Sequence, residues 1–304
     1  MSSTQARTGR PRERVLTMRG VAKRFGAVRA LTDVDFWVNE GEVVALIGDN
    51  GAGKSTLVKL LAGVHPPDAG TIEFDGETVD IASPADAQDL GIETVFQDLA
   101  LCDNLDVVAN LWLGRELRDG GYLDEVEMEQ RTWALLRELS AKIPSVRVPV
   151  ASLSGGQRQT VAIARSLIGD PRVVILDEPT AALGVAQTAE VLNLIERLRE
   201  RGHGVVLISH NMADVLAVAD RVVVLRLGRN NGVYNAAEVT SEKLIAAITG
   251  AVDDNGRSAT PPVAPPAHAA EPPLTGPPPS HTPDPGDARI TPLTHRRREK
   301  GRRP

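Results

Sequence analysis

Residues 43–56 read Val43-Val44-Ala45-Leu46-Ile47-Gly48-Asp49-Asn50-Gly51-Ala52-Gly53-Lys54-Ser55-Thr56, an apolar run that leads directly into a glycine-rich turn. The turn matches G-x-x-x-x-G-K-[ST], the P-loop pattern. Glycine permits positive φ and close approach of the backbone, so successive N–H groups can surround a phosphate at a helix start. The leucines that follow have helical spacing. The stretch therefore predicts a nucleotide site between a buried strand and a helix.

The P-loop supplies most of the predicted nucleotide-binding residues. The ammonium group of Lys54 is expected to reach the β- and γ-phosphates, and the hydroxyl of Ser55 is expected to ligate Mg²⁺. The full set predicted from this stretch is Gly48, Asn50, Gly51, Ala52, Gly53, Lys54, Ser55 and Thr56.

Composition narrows the class of protein. The chain has 304 residues, 42% of them hydrophobic, and its longest apolar runs are too short to span a bilayer. A net charge of −6 gives no argument for nucleic acid as a partner. The N-terminus lacks the apolar core of a secretory signal, and the single cysteine, Cys102, fits a reducing compartment.

Composition also divides the chain. Residues 1–14 are predicted to be a flexible leader, residues 15–250 a folded domain that carries the P-loop, and residues 251–304 a disordered tail with a basic C-terminus. The tail holds 13 of the 21 prolines, and its eight basic and six acidic residues leave a net charge of +2. Such a segment buries too little apolar surface to offset the entropy of ordering.

Hydrophobic periodicity predicts an α/β fold. Strand patterns at Val15–Val21 and Val28–Val38 precede the P-loop and indicate an added antiparallel β-layer. Residues of about 98–168 have mostly helical spacing and are predicted to form an inserted helical subdomain. After residue 170 strands and helices alternate, as in a mainly parallel sheet covered on both faces.

A second acidic motif follows the apolar run Val173–Leu176. Asp177 and Glu178 stand where that strand ends, at the carboxyl edge where α/β sheets bind ligands. Asp177 is placed to hold Mg²⁺, directly or through water. Glu178 is placed to orient or deprotonate the water that attacks the γ-phosphate.

The motif Leu153-Ser154-Gly155-Gly156-Gln157 lies between the P-loop and the sequence Asp177-Glu178-Pro179-Thr180. It provides a second phosphate-binding helix start, which one chain with a P-loop does not need for its own nucleotide. This set of motifs resembles the ATPases of ABC transporters. The resemblance implies a RecA-like core and a head-to-tail dimer that encloses two ATP molecules, each between one P-loop and the other chain's signature motif.

The resemblance also assigns further residues. It implies that Phe25 stacks on adenine, that Gln97 reaches Mg²⁺ and the attacking water, and that His210 contacts the γ-phosphate. The signature residues that face the partner's nucleotide are Ser154, Gly155, Gly156 and Gln157. The predicted catalytic residues are thus Glu178, His210 and Gln97, and the predicted metal ligands are Ser55, Gln97 and Asp177.

One position departs from the family pattern. The family commonly has aspartate four residues after the threonine of Asp-Glu-Pro-Thr, where this chain has Gly184. Glycine cannot make that side chain's contacts across the dimer, so coupling between the two sites is expected to be looser.

Segments near Phe25, around the P-loop and at Leu113-Gly114-Arg115-Glu116 resemble single-cassette sugar importers of the ribose, xylose and fructose type. The implied function is ATP-driven sugar uptake from the cytoplasmic face of the cell membrane. The implied partners are a second copy of the chain, membrane permease subunits and, indirectly, an extracytoplasmic sugar-binding protein, with no specific nucleic acid. Two alternatives remain: a soluble ABC ATPase linked to translation or DNA, and a regulatory ABC protein that hydrolyses little.

Overall fold

The computed structural model describes residues 13–251. The predicted leader therefore lies outside the described residues except for its last two positions, and the predicted tail lies outside them except for Ala251. The strands are β1 (Arg14–Phe25), β2 (Val28–Asn39), β3 (Val43–Ile47), β4 (Ala69–Phe74), β5 (Glu77–Val79), β6 (Ile92–Val95), β7 (Arg118–Asp119), β8 (Tyr122–Leu123), β9 (Val173–Asp177), β10 (Gly204–Ile208), β11 (Arg221–Arg226) and β12 (Arg229–Asn235). The helices are α1 (Lys54–Leu61), α2 (Pro84–Asp89), α3 (Val107–Trp112), α4 (Glu125–Glu138), α5 (Gly155–Ser166), α6 (Val185–Glu200), α7 (Met212–Val218) and α8 (Ser241–Thr249).

A six-stranded sheet in the order β12-β11-β3-β10-β9-β6 forms the centre of the α/β part. Its strands are parallel except β12, which pairs with β11 in the antiparallel sense. Every residue of β3 and β10 is buried. Continuous apolar strands of this kind are stable only when both faces of the sheet are covered, and core clusters do pack on both sides.

A second sheet, in the order β2-β1-β4-β5, is antiparallel throughout. Strand β1 alternates buried and exposed positions less strictly than a simple strand because bulges interrupt its pairing with β2. The turn between β4 and β5 uses Asp75 and Gly76, both with left-handed φ. The antiparallel β-layer expected from the sequence is present, and its inner face joins the P-loop helix α1 in one core cluster.

The segment between β6 and β9 contains α3, α4, the β7–β8 hairpin and α5. Helices α3 and α4 are joined by the indole of Trp112, which donates to the Thr132 hydroxyl at 3.0 Å and to the Met128 carbonyl at 3.1 Å. The fully buried Asn110 accepts from the backbone N–H of Cys102 and donates to its carbonyl. These buried polar contacts fix the loop that leads from β6 into the helices.

Some elements were not predicted. The edge strand β12 is polar and has one buried residue, so it lacks the apolar alternation that marks a strand. The hairpin β7–β8 is only two residues on each side, although its Gly120-Gly121 turn, with two positive φ values, is a recognisable signal. Within residues 13–251 no helix is both long and apolar enough to cross a membrane.

His203 contributes a pH dependence to stability. Its ring is buried, which lowers its pKa, and Nδ1 lies 2.6 Å from the carbonyl oxygen of Pro171. Below the unfolded-state pKa of about 6.5 the unfolded chain takes up a proton that the folded chain excludes, so folding stability falls as pH decreases from there. We therefore expect the melting temperature of His203→Gln to fall less than that of the wild type when the pH is lowered from 7 to 5. Equal slopes for the variant and wild type would contradict this role.

Candidate nucleotide site

The P-loop has the backbone geometry that its glycines permit. It leaves the buried strand β3, and Gly48, Gly51 and Gly53 have φ of 153°, 80° and 107°. A Cβ atom on Gly48 would lie 2.3 Å from the carbonyl oxygen of Leu225, and one on Gly53 would lie 2.8 Å from that of Ala30. A side chain is therefore excluded at Gly48 and at Gly53, and the glycine backbone at these positions lets the loop curve closely around a ligand.

A cavity of about 290 Å³ opens over this loop. Strand β2 forms one wall with Val28, Arg29 and Ala30. The ammonium group of Lys54 donates to the carbonyl oxygens of Gly48 at 2.7 Å and Asp49 at 3.1 Å, so it already lies inside the curve of the loop. The remaining lining consists of predicted nucleotide residues, namely Asn50, Gly51, Ala52, Gly53, Lys54, Ser55 and Thr56.

The acidic residues lie at the same edge of the sheet. Strand β10 lies between β3 and β9, and its last residue, Ile208, pairs with Leu46 of β3 and with Asp177 of β9. The strands are parallel, so their carboxyl ends coincide. The pKa of Asp177 is raised by burial and by the charge of Glu178, while the positive charge of Lys54 partly opposes the rise.

Glu178 and His210 form a direct pair. Nδ1 of His210 lies 2.8 Å from Oε2 of Glu178. The Glu178 side chain is only 17% exposed, whereas that of His210 is 78% exposed. Glu178 has φ of 52°, an uncommon conformation for a residue with a side chain, and its N–H donates to the Ile208 carbonyl. A mostly buried carboxylate held in a strained backbone beside an exposed imidazole is the arrangement expected of a hydrolytic pair.

Gln97 follows β6 by two residues and is exposed. Strand β6 pairs with β9 so that Val95 lies opposite Leu176, which brings Gln97 to the same edge of the sheet. No sequence pattern indicates how this segment is connected to the helices. The guanidinium of Arg165, in α5, donates to the carbonyl oxygens of Leu99 and Ala100 at 2.8 and 2.7 Å. These bonds connect the Gln97 segment directly to the signature helix.

The predicted metal ligands offer oxygen atoms. Ser55, Gln97 and Asp177 carry a hydroxyl, an amide and a carboxylate, the hard donors that Mg²⁺ prefers. Within residues 13–251 no group of three or more His, Cys, Asp and Glu side chains could hold a metal. The donor set therefore fits an ion held by few protein groups together with nucleotide phosphates, which is the usual manner for Mg²⁺.

The signature motif begins helix α5. Ser154 is its N-cap: its hydroxyl accepts from the N–H of Gln157, whose side chain accepts from the N–H of Ser154. A Cβ atom on Gly156 would lie 2.9 Å from Cβ of Gln187, so glycine lets the signature helix pack closely against α6. Among the described residues, none of the four signature positions lines the P-loop cavity.

Phe25 also lies outside the P-loop cavity. It ends β1 beside the tip of the β1–β2 hairpin, is 43% exposed, and pairs with Val28, which does line the cavity. Phe25 therefore lies opposite a residue of the cavity wall, and its side chain is partly exposed.

One further contact was missed from the sequence. The hydroxyl of Thr180 donates to the buried carboxylate of Asp214 at 2.7 Å, which joins the segment after Glu178 to helix α7 after His210. Gly184, the departure from the family pattern, caps α6 with ordinary extended φ, and a Cβ atom there would contact nothing within 4 Å. The missing aspartate is therefore not excluded by steric crowding.

Three features define a P-loop nucleoside triphosphatase. They are a phosphate-binding loop, two carboxylates at the end of a strand in the same sheet, and a second helix that begins with glycines. Residues 31–181 match the ABC transporter family. Fructose import ATP-binding protein FrcA of Rhizobium meliloti is 47% identical over 247 residues, which cover 79% of this chain and 95% of that protein. Xylose/arabinose import ATP-binding protein XylG of Sulfolobus acidocaldarius is 46% identical over 215 residues, covering 71% and 86%.

Solved structures agree with the fold. The dimeric post-hydrolysis structure of the ATP-binding cassette MJ0796, bound to ADP and Pi, has a TM-score of 0.62 and 25% identity and covers 73% of this chain and 98% of that one. The chain belongs to the ABC transporter ATP-binding family and is an ATPase of that family. The family, the fold class and ATP as the nucleotide, all predicted from the motifs, are confirmed. The comparisons give no support to a translation-linked, DNA-linked or regulatory protein.

Proposed function

We propose that this chain is the ATP-hydrolysing subunit that energises uptake of a sugar through separate membrane permease subunits. Its relatives FrcA and XylG are named as fructose and xylose/arabinose import ATP-binding proteins. The main structural support for ATP hydrolysis is the 2.8 Å contact between Nδ1 of His210 and Oε2 of Glu178, at the same edge of the sheet as the P-loop.

The residues of the site divide the work of hydrolysis. Lys54 stabilises charge on the β- and γ-phosphates, and the P-loop N–H groups hold the phosphates in place. Ser55, Asp177 and Gln97 would hold Mg²⁺ together with the nucleotide, and the bound ion would supply charge neutralisation at the phosphates. Glu178 orients the attacking water and accepts a proton from it. His210 holds the Glu178 carboxylate in place and contacts the γ-phosphate.

The nucleotide site is shared between two copies of the chain. The N–H groups of Gly155 and Gly156, after the Ser154 cap, provide an anion-binding helix start, yet the P-loop cavity of the same chain does not include these residues. A second copy arranged head to tail supplies them. The dimeric cassette MJ0796, a relative in fold, supports this arrangement.

The helical subdomain of about residues 98–168 carries movement from the nucleotide to the permease. Arg165 links the Gln97 segment to α5, so displacement of Gln97 by the γ-phosphate is passed to that helix. A cavity of about 390 Å³ lies between β6, α3 and α5 and includes Glu93, Leu113 and Arg115. We propose that a cytoplasmic segment of the permease docks in this groove and that the chain works as a peripheral subunit at the cytoplasmic face of the membrane.

Uptake of labelled sugars tests this function. In the source organism, a chromosomal Glu178→Gln substitution is expected to abolish uptake of at least one of fructose, xylose, arabinose and ribose. Glu190→Gln, on the exposed face of α6, is the control and leaves uptake at the wild-type level. Unchanged uptake of all four sugars in the Glu178→Gln strain would count against the importer assignment for these substrates.

A further inference from the structure

Phe25 has a neighbour that the nucleotide chemistry does not require. The ring of His65, from the loop after α1, lies with its centroid 5.2 Å from that of Phe25 and an interplanar angle of 68°. This is the edge-to-face geometry that aromatic pairs prefer. The two residues are far apart in sequence, and His65 is half-buried, so the contact joins the hairpin tip to the loop that follows the P-loop helix.

Lys23 supports the same ring from another side. Its ammonium group lies 5.7 Å from the Phe25 centroid, and it is held by the Pro66 carbonyl and the Asp68 carboxylate, both at 2.7 Å. Asp68 also accepts from the N–H of Arg24 at 2.7 Å. Residues 65–68 thus hold the end of β1 through a ring contact, a cation over the ring and hydrogen bonds.

We infer that His65 is a positioning residue for adenine binding: it sets the plane of Phe25 so that the ring's free face meets the base. The inference rests on the proposed role of Phe25 in stacking on adenine. A single phenyl ring beside a hairpin tip can rotate about χ1 and χ2, and stacking on a base requires that it give up this freedom. The contacts with His65 and Lys23 restrict the ring before the nucleotide arrives, while 43% of Phe25 stays exposed for the base.

Because His65 is proposed to act on binding of the base, a ligand without a base distinguishes its role from general damage to the site. Inorganic tripolyphosphate offers the phosphates of ATP to the P-loop and has no base to stack on Phe25. His65→Ala is expected to weaken ATP binding about threefold to tenfold, roughly the cost of immobilising one side chain on binding, and to leave tripolyphosphate binding and kcat at saturating ATP unchanged. Affinities are measured by calorimetric titration.

Matched variants separate positioning from general damage. His65→Phe keeps a ring in the same place and is expected to retain wild-type ATP affinity, as is Val64→Ala, the control in the same loop. Phe25→Ala is expected to weaken ATP binding at least as much as His65→Ala, and adding His65→Ala to it changes nothing further.

Two results would overturn the inference about His65 and leave the proposed function intact. In the first, His65→Ala binds ATP as well as wild type while Phe25→Ala binds ATP more weakly. In the second, His65→Ala loses affinity for ATP and for tripolyphosphate equally. Unchanged ATP affinity in Phe25→Ala would instead remove the stacking role of Phe25 and the inference with it.

Discussion

Replacement of Glu178 by glutamine is expected to lower ATP turnover by about 10²- to 10⁴-fold, the contribution that a general base typically makes. Glutamine keeps the size of the side chain and an oxygen that can accept from His210, but it cannot take a proton from water. The backbone contact of residue 178 with Ile208 does not involve the side chain, so the local fold is retained. ATP affinity is expected to remain within about twofold of wild type, since a lost general base removes only an interaction made in the transition state.

The measurement is steady-state phosphate release together with calorimetric ATP titration. Glu190→Gln serves as control because it makes the same chemical change at an exposed position of α6. Turnover that survives Glu178→Gln at the wild-type rate would remove Glu178 from the mechanism and leave the His210 contact without a catalytic meaning.

The second large effect is expected at Lys54. In the described structure its ammonium group bonds only to the carbonyl oxygens of Gly48 and Asp49 within the loop. Lys54→Ala removes the positive charge from the phosphate cradle, and a lost hydrogen bond to a charged group is worth roughly 1.5–3 kcal/mol, or about 10- to 150-fold in affinity. We therefore expect ATP binding to weaken by about this factor while the melting temperature changes little.

Lys59→Ala provides the matched control, since it removes a lysine from the exposed side of the same helix. Calorimetric titration of ATP and thermal unfolding are measured on both variants. An Lys54→Ala chain that binds ATP as well as wild type would contradict the placement of the triphosphate in this loop.

The sequence was most informative where chemistry and local backbone coincide. The P-loop from Gly48 to Thr56, the strand that ends at Asp177 and the Ser154 helix cap are each specified by neighbouring residues, so pattern alone predicts them. Apolar runs that alternate with helices also predicted that the sheet is mainly parallel. The three local motifs depend on contacts within about one turn or one strand.

Other features depend on residues that meet only after folding. The contacts of Phe25 with His65, of Arg165 with the Leu99 carbonyl and of Thr180 with Asp214 join distant segments, and no spacing rule marks them. Strand β12 is stabilised by pairing with β11 rather than by its own apolar residues, so its composition does not predict a strand. The proposed roles of the signature residues likewise depend on a second chain, which pattern analysis can suggest only through resemblance.

The central claim is that ATP binds between two copies of this chain, and the most direct test is the oligomeric state measured by light scattering. Glu178→Gln protein, which holds ATP without turning it over, is expected to form dimers with Mg-ATP and to remain monomeric with ADP. The double variant Glu178→Gln, Ser154→Arg keeps the P-loop but blocks the signature, and it is expected to bind ATP as a monomer. ATP binding without dimer formation by Glu178→Gln, or dimer formation unaffected by Ser154→Arg, would contradict the shared site.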